Sequence, residues 1–149
     1  MMRLSCFAFV LISALLLPGL VEAQEGVTVG TSVELESGFR LGSNYPNPFK
    51  PDTRIPFELH ESMFVEGRPV TVSIRIYDIV AQYVASPTAL GHPAGDGTPV
   101  MNLEYATPGR HETYWDGRNS SGSYVVAGVY LVQLTVNGAT QNRRVLVSN

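Results

Sequence analysis

The side chains able to do chemistry are few in this 149-residue chain, and their spacing does not gather them. His60, His92 and His111 stand apart, with no second ligand at the short intervals that zinc sites use. Asp116, Asn119 and Ser121 offer oxygens to a hard cation. They lack the glycine at the sixth position and the glutamate at the twelfth that an EF-hand loop requires, so Asp116 reads instead as a turn residue bonding its own backbone. Gly117 to Ser123 has the small residues of a phosphate loop, but no lysine precedes Ser123 and no parallel strand–helix unit surrounds it. No Gly-x-Ser-x-Gly nucleophile elbow is present. Glu34 and Glu36 form a carboxylate pair, but in a polar stretch where nothing would position or desolvate them for acid–base work. The expectation is a protein without catalysis, cofactor, metal or small-molecule substrate.

The informative residues are those that direct the backbone. In Asn44-Tyr45-Pro46-Asn47-Pro48-Phe49, followed by Lys50-Pro51-Asp52-Thr53, three prolines fix φ and remove three backbone donors. The residue before each proline is pushed toward extended geometry. A helix or a central strand is excluded, and a stiff, largely extended lead-in is predicted, with Tyr45 and Phe49 as aromatic anchors on a core. Far downstream lies Trp115-Asp116-Gly117-Arg118-Asn119, with Gly122 and then Ala127-Gly128-Val129-Tyr130. The sole tryptophan, at the start of a turn, reads as a core plug whose N–H finds a carbonyl. A competing reading, a carbohydrate-binding surface, would use exposed aromatics such as Tyr105, Tyr114 and Tyr124.

Strands must position these segments. Thr53 to Leu59 alternates, with Ile55, Phe57 and Leu59 on one face, and Pro56 implies an edge strand or an outward-pointing position. In Val70 to Tyr77, Val70, Val72, Ile74 and Ile76 share a face, the pattern of a half-buried antiparallel strand. Asp78 to Gln82 turns into a short strand at Tyr83 to Ala85. Residues 86–99 carry three prolines and three glycines and read as a surface loop. Val100, Asn102 and Tyr105 lie in a weaker strand candidate. Thr107-Pro108-Gly109 turns into a strand over Arg110 to Trp115. Gly128 to Val136 and Thr140 to Val147 flank Asn137-Gly138, the favoured type I′ hairpin turn. About seven short strands and no sustained helical period predict an all-β, Ig-like antiparallel β-sandwich.

The N-terminus reads as an export signal. Arg3 precedes an apolar run from Leu4 to Leu17, Pro18 and Gly19 end it, and Val21-Glu22-Ala23 suits signal peptidase. The run is shorter than the ~20 apolar residues that span a bilayer. Cleavage after Ala23 would remove the only cysteine, Cys6, and leave 126 residues, enough for one domain. The expected division is a signal peptide over 1–23, a flexible leader over 24–38 and one domain over 39–149. Cleavage would take one residue from each of the ten basic and thirteen acidic, so the formal charge stays at −3. Mild acidity without a clustered basic face argues against nucleic acid and anionic membrane surfaces.

From Tyr45 onward the chain resembles the C-terminal sorting domain of type IX secretion cargo and the related Ig-like domain of flagellar hook-capping proteins. The resemblance is carried by Asn44-Tyr45-Pro46-Asn47-Pro48-Phe49, Pro51 with Thr53, Ile76-Tyr77-Asp78, Pro108-Gly109-Arg110-His111 before Trp115-Asp116-Gly117-Arg118, and Gly128-Val129-Tyr130. Lys50 replaces a usual asparagine. Ala81 replaces a usual turn glycine, which implies either a turn without positive φ there or local strain. The resemblance implies recognition by outer-membrane translocon components, passage through the periplasm to the surface or exterior, and export information in the last strand. That strand contains Arg143 and Arg144, which would discourage pairing with wrong partners. The alternative is a free-standing structural or adhesion module of the periplasm or surface.

Overall fold

In a computed structural model that describes residues 37–149, β3 (Val70–Tyr77) is the spine of one sheet. Its Val70, Val72, Ile74 and Ile76 are fully buried, as the two-residue period requires when one face meets a second sheet. On one side β3 pairs antiparallel with β8 (Gly128–Val136), which pairs with β9 (Ala139–Val147). On the other side it holds β4 (Tyr83–Ala85) and β6 (Leu103–Tyr105). The second sheet has the order β1 (Phe39–Leu41), β2 (Thr53–Leu59), β7 (Gly109–Trp115), β5 (Thr88–Leu90). All named pairings are antiparallel, and no α-helix occurs among the described residues. The protein is thus an Ig-like β-sandwich, with nine strands among the described residues rather than about seven.

The two additional strands arise where the sequence signal is weakest. β1 has only three residues, and β5 lies inside the segment read as a loop, where Ala89 is wholly buried against β7. The stretches expected to be a signal peptide and, all but its last two residues, a flexible leader fall outside the described residues. Ser37 and Gly38 form a turn into β1.

Two expectations are corrected, and one pair of alternatives is decided. β2 is an interior strand, so Pro56 takes the outward-pointing alternative, on the face of Arg54 and Glu58, rather than the edge. The Pro56 carbonyl accepts from the Gly42 N–H at 2.9 Å, so the missing donor faces the lead-in, where β1 has already ended, and not β7. Tyr105 is buried, with its ring among Phe57, His92 and His111, and cannot present a sugar-stacking face. Burial raises its phenol pKa to about 12. His92, in the loop after β5, and His111, on β7, both lie against that ring, each with a ring nitrogen engaged by a backbone carbonyl.

Ala81 takes the strained alternative, with φ at +62°. Side chains avoid the left-handed region at a cost of about 1–2 kcal/mol. Ala81→Gly should therefore raise stability by about 1 kcal/mol, after the glycine's extra unfolded-state entropy is set against the relief. A urea midpoint that stays put or falls would contradict a left-handed Ala81.

Candidate functional site

The proline segment folds onto the far end of the molecule. It is bent rather than extended: Tyr45 exchanges two backbone hydrogen bonds with Arg54, and four residues later Phe49 pairs with β9. The Tyr45–Pro46, Asn47–Pro48 and Lys50–Pro51 peptides are cis. Phe49 is the core anchor and is 1 % exposed, whereas Tyr45 is 41 % exposed and lies on the outer face of its sheet. There its hydroxyl donates to Glu112, which also pairs with Arg54 and Arg110. The Tyr45 bond holds the Glu112 carboxyl below its ordinary pKa, and the two arginines add to the effect. Asn44 is the second buried anchor; its amide donates to the Pro46 carbonyl and to Thr53 Oγ1. Pro46, Asn47 and Pro48 remain exposed, and Asn47 Oδ1 accepts the Leu146 N–H.

Trp115 joins this segment to the sandwich. Its ring is 2 % exposed and lies edge-on between Phe49 at 5.1 Å and Tyr130 at 5.8 Å, while Nε1 donates to the Arg118 carbonyl at 2.9 Å. Asp116 Oδ1 accepts the Arg118 N–H, and Asn119 Oδ1 accepts those of Ser121 and Ser123. Of the oxygens considered for calcium, those of Asp116 and Asn119 therefore close the turn. Gly117 sits at φ +73°, against the Pro51 carbonyl. Gly128 opens β8 opposite Val147, and the Tyr130 hydroxyl donates to the Val126 carbonyl. Asn44 to Phe49, Trp115 to Gly117 and Gly128 to Tyr130, distant in sequence, thus form one packed junction.

Arg143 and Arg144 lie elsewhere on β9 and face opposite ways. Arg143 crosses to the other sheet, where Nε donates to the Leu41 carbonyl and Nη1 to Ser43 Oγ. One pleat earlier, Gln141 accepts the Leu41 N–H at 2.8 Å and donates to the Phe39 carbonyl at 2.8 Å. The Gln141 carboxamide thereby acts as a peptide unit on the free edge of β1. A glutamine at an inward position of an alternating strand was the available sequence signal for this role. Replacing it with leucine leaves a buried donor and acceptor unmet, a cost of about 1–3 kcal/mol. Gln141→Leu should lower the urea midpoint accordingly; an unchanged midpoint would mean that water satisfies this edge.

Most sheet edges are covered in this way. The β5 edge is bonded at Ala89 by Thr98, the β4 edge at Val84 by Ser120, and the β6 edge at Glu104 by His92. Natural proteins protect such edges because unpaired N–H and C=O groups template further strands. β9 differs. The two-residue turn at Asn137-Gly138 makes Val136 and Ala139 a hydrogen-bonded pair, so odd residues of β9 bond to β8 and even residues face outward. Leu146 and Ser148 are taken up by Asn47 and Phe49. The outward backbone groups of Thr140, Asn142 and Arg144 have no partner among the described residues.

No family model matches the chain, and no curated protein is similar to it at a significant level. Among solved structures, the crystal structure of dimeric latent PorU from Porphyromonas gingivalis aligns over 73 % of this chain and 9 % of that one, with a TM-score of 0.51 and 18 % identity. PorZ, described as an essential bacterial surface component of the type-IX secretion system of the same organism, aligns over 81 % of this chain and 13 % of that one. The TM-score is then 0.42 and the identity 21 %. The first likeness is one of fold: a sandwich of this kind forms a small part of a much larger chain.

Proposed function

We propose that the protein is an exported, non-catalytic module whose β-sandwich acts as a C-terminal sorting signal for type IX transport across the outer membrane. The observation that carries the reading is the uncovered stretch of β9. It is the last strand of the described sandwich, and its outward backbone groups at Thr140, Asn142 and Arg144, without partners among the described residues, could be read by strand addition. The order of the sequence motifs supports it, as does the fold likeness to part of PorU. The residues of the proline and tryptophan motifs serve it indirectly, by seating Phe49 against the end of β9 and leaving the middle of that strand open.

A free-standing structural or adhesion module is the second reading. It is favoured by a sandwich that closes its own core without help from another chain. Expression of the full chain in two otherwise identical hosts, with and without the translocon, separates the two. The sorting reading expects the protein outside the outer membrane only in the first host. Retention in the periplasm of both hosts, or the same surface level in both, would favour the free-standing module.

A further inference from the structure

We infer that the open edge of β9 is a docking site for an extended, acidic strand of a partner protein. This rests on the reading above of β9 as the recognised strand, and names the chemistry of what it takes. The open stretch from Thr140 to Arg144 is about 14 Å long at the usual rise of a strand, room for roughly five residues. Its end is defined, because Asn47 and Phe49 already occupy Leu146 and Ser148.

Charge selects the occupant. The chain is acidic overall, with a formal charge of −3. Yet the outward positions of β3, β8 and β9 carry two arginines, Arg75 and Arg144, and no carboxylate. Among the described arginines these two alone have neither an ion pair nor a hydrogen bond; Arg40, Arg54, Arg68, Arg110 and Arg118 pair with carboxylates, and Arg143 bonds across the sandwich. The nearby Asp78 is engaged, with Oδ1 accepting the N–H groups of Val80 and Gln82. Arg144 shares its cross-strand row with Leu131 and Tyr77, beside the half-exposed Val129 and Leu146. An added strand would place one side chain beside Arg144 on the outer face of the sheet, with the next residue on either side turned to the opposite face. A glutamate beside Arg144 fits; a lysine there meets like charge.

The test uses the full chain and two capped peptides, Ser-Val-Glu-Val-Glu-Val-Ser and the same sequence with lysine for glutamate. Amide NMR shifts report the site and fluorescence anisotropy the affinity. The acidic peptide should perturb the amides of Asn142 and Arg144 and bind about tenfold more tightly than the basic one at low salt, the difference shrinking as salt rises. Arg144→Glu should reverse the preference. Asn142→Pro should abolish binding, because it removes an outward donor without touching the β8 ladder, and proline is tolerated on edge strands. Equal affinities, shifts confined to another face, or no binding would overturn the inference. So would an edge already protected in the free chain by residues 24–36, or by a second copy in a concentration-dependent dimer. Peptide binding makes no use of the translocon, so the two ideas fail separately. An exported chain that ignores the acidic peptide sinks the docking inference alone, and a chain that binds it but stays in the periplasm sinks the sorting reading alone.

Discussion

Trp115→Ala is expected to lower stability by about 3–5 kcal/mol, the range for truncating a buried aromatic to alanine. The substitution removes the ring that sits between Phe49 and Tyr130 and leaves a cavity where the proline segment meets the core. It also deprives the Arg118 carbonyl of its indole donor. Domains of this size are stable by only about 5–15 kcal/mol, so the variant should be partly unfolded or close to it at 37 °C. Urea denaturation followed by tyrosine fluorescence and far-UV circular dichroism gives the midpoint. A midpoint equal to the parent's would mean that Trp115 lies at the surface, and would reopen the binding-site reading.

Gly117→Ala should be nearly as damaging although it adds one methyl group. A Cβ there would stand 2.2 Å from the Pro51 carbonyl oxygen, and that oxygen belongs to backbone that cannot swing aside. The left-handed φ adds about 1–2 kcal/mol and the forced displacement about 1–3 more, a total near 2–5 kcal/mol. Gly122→Ala is the internal comparison: φ there is +85°, but nothing lies within 4 Å of the added carbon. Only the conformational part should appear in it. Equal losses in the two variants would show that the lead-in does not press on the Trp115 turn.

The long strands were legible because each carries its own evidence. Val70 to Tyr77 and the hairpin about Asn137-Gly138 lie where alternation and turn chemistry place them, and both turn residues have positive φ as a type I′ turn demands. β1 and β5 were not legible. Three residues cannot display a period, and Ala89 becomes a core residue only because β7 lies beside it. Composition marked the proline segment as special and misjudged its path, since the hydrogen bonds that bend it come from Arg54, just beyond the segment, and from β9, far away in sequence. Of its two aromatics, only Phe49 reaches the core. Arg143 and Arg144 look equivalent as neighbours in the sequence, but the pleat turns one inward to bond Leu41 and leaves the other in solvent. A double charge reversal would therefore disturb the sandwich as well as the edge, and Arg144 alone is the informative position.

The central claim, that this sandwich is sufficient to direct export, is tested most directly by a reporter placed between a signal peptide and residues 37–149, in a host that carries the type IX translocon. The sorting account predicts reporter activity outside the outer membrane, accessible to added protease on intact cells, and lost when the translocon is deleted. A reporter that remains in the periplasm of the competent host, while the attached sandwich is folded and protease-resistant, would contradict it.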